Sequence, residues 1–233
     1  MQNFIIEPIA YIHNNFKEKF GIPRQSGISN CGLSTIVFAQ KFQDENAVRG
    51  LEGFSHLWLL WMFDDKNADK TWAPTVRPPR LGGNKRMGVF ATRSPYHPNG
   101  IGLSCVKIES IEKNVKDGII IKVSGADILD GTPIIDIKPY LTFTDSHPEA
   151  LNGFAENSLN YELDVEFSCD TYNLDNGLIE ELSSILRLDP RPSYQDDCEK
   201  IYSMRYAEYD VKFTVNNNVL TVVDIIYMNG CEK

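Results

Sequence analysis

The chain has 233 residues, of which 42% are hydrophobic, and a formal net charge of −9. This length and apolar content exclude an intrinsically disordered protein, because such a chain can bury a core. Residues 57–63, the longest apolar stretch, are too few to span a bilayer, and the N-terminus lacks the pattern of a secretory signal. We therefore expect a soluble cytoplasmic protein without a membrane partner.

Five cysteines are scattered along the chain without a C-x-x-C pair, and four histidines lie far apart. These spacings argue against a disulfide framework and predict no metal site. The sequence also lacks GxGxxG, GK[ST], HExxH and GxSxG motifs. The common nucleotide-binding, metalloprotease and hydrolase sites therefore have no support, and neither has a Rossmann-type methyltransferase fold.

Short segments rich in Val, Ile and aromatic residues predict β-strands along the first 150 residues. In chain order they are residues 4–13, 34–40, 54–63, 87–93, 103–112 and 118–124. No long helical period separates them, which disfavours a parallel sheet with helical crossovers. We predict a mainly β protein whose N-terminal domain, residues 1–150, is an antiparallel β-barrel.

A polar, turn-rich stretch near residue 150 predicts a boundary to a second, smaller domain at residues 151–233. Asp175 is predicted to cap a helix with one apolar face, which an Asp-Pro pair ends. Residues 209–215 and 219–227 alternate apolar and polar side chains around three asparagines, as a β-hairpin does. The C-terminal domain is therefore predicted to be α+β.

The segment at residues 77–104 is unusually rich in proline and glycine. Proline fixes φ, while glycine lets the backbone approach a ligand closely. The surrounding window, residues 70–108, carries seven cations and no acid, so the rest of the chain has a charge of −16. Tight barrel turns or a solvated basic face would explain part of this pattern. The arginines and aromatic side chains between the turns favour a ligand-binding segment.

Two further clusters have simpler interpretations. Residues 50–63 predict a strand buried on both faces, with His56 either in the core or orienting a neighbouring loop. Asp127, Asp130 and Asp136 surround a Gly-Thr-Pro turn, where aspartates commonly form or cap turns.

Five segments occur in a characteristic order: PRQSG (23–27), RGLEGFSHLW (49–58), RPPRLGGNKRMGVFATRSPYHPNGIG (77–102), DILDGTPIIDIKPYL (127–141) and DPRPSY (189–194). Together they closely resemble the TsaA/YaeB family of tRNA methyltransferases, also called TrmO. The resemblance implies a homodimeric, non-Rossmann enzyme that uses S-adenosylmethionine. Its implied substrate is N6-threonylcarbamoyladenosine next to the anticodon of tRNA, which is methylated on the same exocyclic nitrogen.

The resemblance also implies the cofactor contacts. They are Gln25, Ser26, Gly27, Ile28, Asp65, Lys66, Arg93, Leu103, Gly131, Thr132, Pro133 and Ile134. For catalysis, Asn99, Asp127 or a backbone carbonyl of the turn at 97–102 could hold the N–H of the acceptor amine, which is a poor nucleophile, and we hypothesise that Asn99 orients it.

The implied substrate explains the cationic and aromatic side chains of the basic window. Cations would meet the threonylcarbamoyl carboxylate and the tRNA phosphates, and aromatic rings would stack on an anticodon-loop base. The predicted tRNA contacts are Arg77, Arg80, Lys85, Arg86, Tyr96 and His97.

Two other functions are compatible with the sequence. A barrel that binds S-adenosylmethionine or RNA without catalysis would explain the lack of an obvious general base, and turnover with bound cofactor would exclude it. A small-molecule methyltransferase is the second alternative. The basic window argues against it, because a neutral small substrate would not need that charge.

Overall fold

The computed structural model describes residues 5–63, 72–78, 85–158, 161–172, 174–191 and 197–228. Within these ranges the strands are, in chain order, β1 (Ala10–His13), β2 (Leu33–Phe38), β3 (His56–Met62), β4 (Thr75–Val76), β5 (Met87–Gly88), β6 (Ile101–Asn114), β7 (Gly118–Ser124), β8 (Pro133–Pro139), β9 (Asp164–Phe167), β10 (Tyr202–Tyr206), β11 (Tyr209–Asn216) and β12 (Val219–Tyr227). The α-helices in the described ranges are α1 (Thr142–Asp145) and α2 (Asn176–Leu186).

Six strands form a closed barrel in the order β1-β2-β7-β6-β3-β8. All neighbours are antiparallel, and the pairing of Ala10 with Ile134 closes the barrel between its first and last strands. The fold class predicted from the sequence, a mainly β protein with an antiparallel barrel, is confirmed. The inward side chains, Leu57 and Leu59 among them, are fully buried, so the barrel interior is a packed core.

The strand predictions for the barrel need three corrections. Strand β3 buries only alternate residues, so the prediction of burial on both faces is wrong. Of the predicted strand at 4–13, the described residues 5–9 lie outside the strands and only β1 forms, because Pro8 before it has no N–H to donate to a ladder. Strand β8 follows the Gly-Thr-Pro turn and was not predicted.

The predicted strand at 87–93 is wrong beyond its first two residues. After β5, Val89–Ala91 forms a 3-10 turn. The Thr92 hydroxyl donates a hydrogen bond to the carbonyl oxygen of Val89 at 2.7 Å. Such a local side-chain bond gives the backbone an alternative to the strand ladder.

The C-terminal part contains a four-stranded sheet in the order β10-β11-β12-β9, in which β9 lies parallel to β12. Helix α2 packs against it through buried Leu182, Ile185 and Leu186. The Asp175 carboxylate caps α2 by accepting from the Gly177 N–H, and β11 and β12 form the hairpin. The predicted α+β character, helix and hairpin are therefore confirmed.

Residues from the N-terminal part also enter the C-terminal core. Phe16 and Cys31 are buried in the same cluster as Tyr206 and Phe213. Phe16 pairs with Tyr206 in an isolated antiparallel bridge, and their rings meet edge to face at 5.3 Å. In the described part of the chain, no helix has the length and apolar character that a membrane crossing requires.

Candidate active site

The segments with predicted ligand contacts meet at one end of the barrel. In this antiparallel barrel, β1, β3 and β7 end where β2, β6 and β8 begin. The segments that enter or leave these strand ends contain residues 25–28, 93–103, 127 and 131–134. We call this the site end of the barrel. Asp65, Lys66 and Arg80 lie outside the described residues.

The loop at residues 25–28 lies against β6 where β7 has ended. The Ser26 hydroxyl accepts from the Cys105 N–H at 3.0 Å, and the Gly27 N–H donates to the Gly125 carbonyl at 2.9 Å. Gly27 and Gly125 have φ of 76° and 78°, which strongly favours glycine. A Cβ on Gly125 would lie 3.2 Å from the Gly27 Cα atom. The close fit of these two backbones therefore depends on glycine.

A buried chain of hydrogen bonds crosses the site end. The Trp61 indole N–H donates to the Ser104 hydroxyl at 3.0 Å, and this hydroxyl donates to the Asp127 Oδ1 at 2.5 Å. Ser104 is fully buried. Gly102 makes room for the indole, because a Cβ there would lie 2.3 Å from the Trp61 Cε2 atom. The Asp127 carboxylate is thus held in place by a hydrogen-bond chain that comes from the barrel interior.

Burial raises the pKa of the Asp127 carboxyl above its ordinary value. The Ser104 hydrogen bond and the positive charge of Arg93 act in the opposite direction but do not cancel the effect of burial. Asp127 is therefore a stronger proton acceptor than an ordinary surface aspartate.

The positive charge of Arg93 and the backbone of Ser26 act on this carboxylate from neighbouring segments. The exposed Arg93 guanidinium donates from Nη1 to the Gln25 Oε1 at 2.5 Å. Ile28 and Leu103 each keep 48% of their surface exposed. The hydrogen bond between Ser26 and Cys105 holds their two segments side by side. The structure thus brings most of the described cofactor candidates together.

Residues 131–134 line the same end on the side of β1 and β8. Gly131, with φ of 77°, donates its N–H to the Ile12 carbonyl at 2.8 Å. The Ile12 N–H donates to the carbonyl of buried Thr132 at 3.1 Å. Next come Pro133, which pairs with β1, and Ile134, which is buried opposite Trp61. Their register fixes this segment beside the Trp61 chain.

Asn99 lies on an exposed turn at the rim of the site end. The Gly100 N–H donates to the His97 carbonyl at 3.1 Å, which closes the turn. The Gly100 carbonyl accepts from the Phe63 N–H at 2.9 Å, which ties the turn to the end of β3. The turn therefore has a fixed place on the barrel, and Asn99 projects from it at the surface.

Two aromatic candidates near this turn differ in their surroundings. The His97 Nε2 lies 2.8 Å from the Thr92 carbonyl oxygen, and its ring meets Phe90 edge to face at 5.7 Å. Tyr96 keeps 49% of its surface exposed. His97 thus takes part in the internal structure of the segment, whereas Tyr96 presents more of its surface for stacking.

Three of the described cations of the basic window lie on or beside the ribbon formed by β4 and β5. Arg77, Lys85 and Arg86 are exposed. The Arg86 Nη1 donates to the Thr75 hydroxyl at 2.8 Å, which fixes the guanidinium on the ribbon. Because this segment joins the end of β3 to the start of β6, its positive charge belongs to the site end.

Sequence reasoning missed Trp61 and Ser104 as parts of this site. Trp61 stands in an apolar run that is typical of core, which is where most of its side chain lies. Ser104 carried a usable signal, since it is a polar residue at an inward position of β6 between Gly102 and Val106. A lone inward hydroxyl predicts a buried polar partner.

Two family models match the chain. The model of the tRNA-methyltransferase O N-terminal domain matches residues 11–146, and that of the TrmO C-terminal domain matches residues 158–227. The chain belongs to the TrmO family. The N-terminal TrmO match contains the Trp61, Ser104 and Asp127 chain and the loop that carries Ser26.

Individual TrmO relatives match nearly the whole chain. The tRNA (adenine(37)-N6)-methyltransferase of Escherichia coli K12 is 38% identical over 93% of this chain and 95% of its own length. A Pseudomonas aeruginosa relative, whose name refers to S-adenosylmethionine-dependent methyl transfer, is 39% identical over 88% of this chain and 90% of its own. A crystal structure of TrmO from Pseudomonas aeruginosa matches with a TM-score of 0.77 and 31% identity, covering 97% of this chain and 100% of that one.

Proposed function

We propose that this chain transfers a methyl group from S-adenosylmethionine to the N6 atom of adenosine 37 in tRNA, and that the accepted adenosine carries an N6-threonylcarbamoyl group. Membership of the TrmO family supports the methyltransferase activity. The name of the Escherichia coli relative supports the atom and the position. The observation that carries the proposal is the buried Trp61, Ser104 and Asp127 chain beside Arg93 and the Ser26 loop.

The side chains of the site end fit a zwitterionic sulfonium nucleoside. Arg93 offers a cation for the carboxylate of the amino-acid part. The exposed Ile28 and Leu103 side chains offer apolar surface for a purine ring. Gly27 and Gly131 have open space where a Cβ would stand, so a ligand can approach their backbone. The name of the Pseudomonas aeruginosa relative supports the same cofactor.

When bound, the cofactor supplies an electrophilic methyl group on its sulfonium. That methyl group would pass from the sulfur to the adenine N6 atom, and the N6 proton would have to leave. We assign acceptance of this proton to the Asp127 carboxylate, because its raised pKa strengthens it as a base. Asn99, at the rim, would orient the acceptor base. Positioning supplies the rest of the rate enhancement, since transfer needs the reacting atoms in line.

The charge of the site end suits the proposed nucleic-acid substrate. A threonylcarbamoyl group adds a carboxylate to the anticodon-loop phosphates, so the substrate presents two kinds of anion. We assign the carboxylate to Lys85 and Arg86 and the phosphates to Arg77 and Arg80. Tyr96, which is exposed, would stack on an unpaired loop base, with His97 beside it. The tRNA affinity should depend strongly on salt.

The proposal includes the organisation of the protein. Residues 1–150 would form the catalytic barrel domain and residues 151–233 a smaller second domain. The active form would be a homodimer in the cytoplasm, where tRNA is modified. Sedimentation equilibrium of the purified chain tests the dimer.

Labelled S-adenosylmethionine tests the reaction directly. The protein is incubated with tRNA that carries threonylcarbamoyladenosine and with the same tRNA lacking that modification, and the labelled nucleoside is identified after digestion. We expect label only in the modified adenosine. Equal label in both tRNAs would overturn the substrate assignment, and binding of cofactor without label would favour a non-catalytic barrel. Label on a free nucleotide instead would indicate a small-molecule methyltransferase.

A further inference from the structure

The loop of residues 24–32, which includes the proposed cofactor contacts 25–28, is bound from two directions. Its middle lies on the barrel through the hydrogen bonds of Ser26 and Gly27. Its two ends, in contrast, are bound by residues of the C-terminal part, more than 150 positions away in the sequence. We call residues 24–32 the cofactor loop.

At the start of the cofactor loop, Arg24 reaches into the C-terminal part. Its Nη2 donates to the backbone carbonyls of Asp189 at 3.3 Å and Arg191 at 2.7 Å. These acceptors are held in place, because Asp189 and Arg191 are buried and their side chains pair at 2.9 Å and 3.0 Å. The Tyr161 hydroxyl also donates to the Asp189 carboxylate at 3.1 Å. Arg24 thus binds two backbone carbonyls whose positions are fixed by these contacts.

At the end of the cofactor loop, two hydroxyls of the C-terminal part meet its backbone. The Asn30 N–H donates to the Ser184 hydroxyl of helix α2 at 2.8 Å. The Tyr206 hydroxyl lies 3.0 Å from the Cys31 carbonyl oxygen and 2.7 Å from the Glu181 carboxylate, so it is within hydrogen-bonding distance of both. These contacts fix the backbone just before β2 begins.

The loop backbone packs closely against α2 at this end. Gly32 has φ of 70°, and a Cβ there would lie 2.5 Å from the Glu181 Oε1 atom. Cys31 is buried, and its thiol donates to the Ala126 carbonyl, next to Asp127, at 3.4 Å. The cofactor loop is therefore clamped between α2 and the segment that carries the proposed proton acceptor.

We propose that the C-terminal part positions the cofactor loop, and that Arg24, Ser184 and Tyr206 are positioning residues that set cofactor affinity without touching the cofactor. The inference rests on the proposed function, since it takes residues 25–28 as cofactor contacts. A loop ordered beforehand loses little conformational entropy on binding, whereas a loosened loop must be ordered at the expense of affinity. The second domain thus contributes to a site that lies wholly on the barrel.

Helix α2 offers a matched pair of serines for the test. Ser184→Ala removes the acceptor of the Asn30 N–H. Ser183→Ala removes a hydroxyl that bonds only within the helix, to the Ile179 carbonyl, among the contacts of the described residues. Isothermal titration of the full-length protein with S-adenosylmethionine should show Kd raised roughly three- to tenfold by Ser184→Ala and unchanged by Ser183→Ala. Ser184→Thr, which keeps the hydroxyl, should restore the affinity.

Arg24→Gln gives a second, larger perturbation. We expect Kd for S-adenosylmethionine to rise about tenfold or more, because a charged donor to two carbonyls is lost. With cofactor and tRNA saturating, kcat should stay close to the wild-type value, since the loop is ordered once the cofactor is bound. Arg187→Gln is the control, as Arg187 is an exposed arginine near Glu162, at 4.0 Å, rather than near the cofactor loop.

The outcomes separate this inference from the proposed function. If the wild-type protein binds S-adenosylmethionine and the Ser184→Ala and Arg24→Gln proteins bind it equally well, the inference is overturned and the proposed function stands. An equal loss of affinity in Ser183→Ala and Ser184→Ala would also overturn it, because α2 would then act only through stability. No binding by the wild-type protein would overturn the proposed function itself. Thermal unfolding of each variant identifies any that do not fold.

Discussion

Different polar side chains connect the strands at the two ends of the barrel. At the far end, the Gln43 side chain donates to the carbonyls of Phe38 and Asp117 at 2.8 Å and accepts from the Ile119 N–H at 2.6 Å. These contacts join strand ends through a neutral amide. At the site end, the internal chain from Trp61 leads instead to the Asp127 carboxylate, whose pKa burial raises.

The difference is the one expected if the site end carries the proposed chemistry. Gln43 connects strand ends, and its amide does not ionise near neutral pH. Even a half-buried carboxylate costs stability, which a neutral structural contact would avoid. The site end also carries the exposed Arg77, Lys85, Arg86 and Arg93, whereas at the far end Lys113 is paired with Glu45. Mutations at the two ends should therefore separate activity from stability.

The largest effect is expected from Asp127→Asn. The variant keeps the shape of the side chain and can still accept from Ser104, but it loses the carboxylate that takes the N6 proton. We expect kcat for tRNA methylation to fall about 10²- to 10³-fold, within the usual range for loss of a general base. Asp117→Asn makes the same chemical change at the far end and should leave kcat unchanged. Wild-type kcat in Asp127→Asn would show that the carboxylate has no catalytic role.

A smaller effect should follow charge reversal on the ribbon. Arg86→Glu should raise KM for tRNA about tenfold or more and reduce the salt dependence of tRNA binding, because a cation that meets the substrate is replaced by an anion. Cofactor binding should stay intact. Lys116→Glu changes the net charge equally on an exposed far-end residue and should leave KM almost unchanged. Equal shifts in the two variants would indicate a general charge effect rather than a contact.

The pH profile should move in the Ser104→Ala variant. If Asp127 accepts the N6 proton as proposed, it must be ionised, and kcat/KM should rise with pH through the raised pKa of this carboxyl. The Ser104 hydrogen bond lowers that pKa, so its removal should raise the pKa further and shift the acidic limb of the profile to higher pH. An unshifted limb would mean that another group controls it.

The same shift has a consequence for stability. In the folded protein Asp127 binds its proton more tightly than in the unfolded chain. Its contribution to the free energy of unfolding should therefore decrease as pH rises through the window between the unfolded and the folded pKa. In Asp127→Asn this part of the pH dependence should disappear, which urea unfolding at several pH values can measure.

The smallest effect on activity should come from Gln43→Ala. The substitution leaves two carbonyls and one N–H at the far end without their partner, which should lower the free energy of unfolding by about 1–3 kcal/mol. Thermal unfolding should show the loss, while kcat and both KM values stay at wild-type levels below the unfolding temperature. A fall in kcat would mean that the two ends are coupled through the barrel.

The barrel and helix α2 could be predicted because their signals are local. Short runs rich in Ile, Leu and aromatic residues mark β3 and β7, and Asp175 provides a standard cap for α2. Strand β8 was missed because its apolar run is short and follows a Gly-Thr-Pro turn rich in aspartate. The 3-10 turn after β5 was missed because it depends on one hydroxyl, that of Thr92, competing with the ladder.

The candidate site was predicted through family resemblance more than through local pattern. The Ser26 loop was named from the family resemblance, and Asp127 was named because the acceptor amine needs a group that holds its N–H. The Trp61, Ser104 and Asp127 chain could not be predicted, because its members are far apart in sequence and meet only when the barrel closes. The contacts of Arg24 with the C-terminal part depend in the same way on how the two parts pack.

The closing pair of the barrel sets a condition on how the chain folds during synthesis. Ala10 pairs with Ile134, so the first strand lacks its second neighbour until most of the barrel sequence has left the ribosome. Pairings between such distant residues form slowly, because the entropy of closing a long loop is lost before the contacts stabilise the pair. Until then the β1 edge is open to wrong partners. Mutations that weaken the β1 and β8 pairing should therefore lower the yield of folded protein in the cell more than its stability once folded.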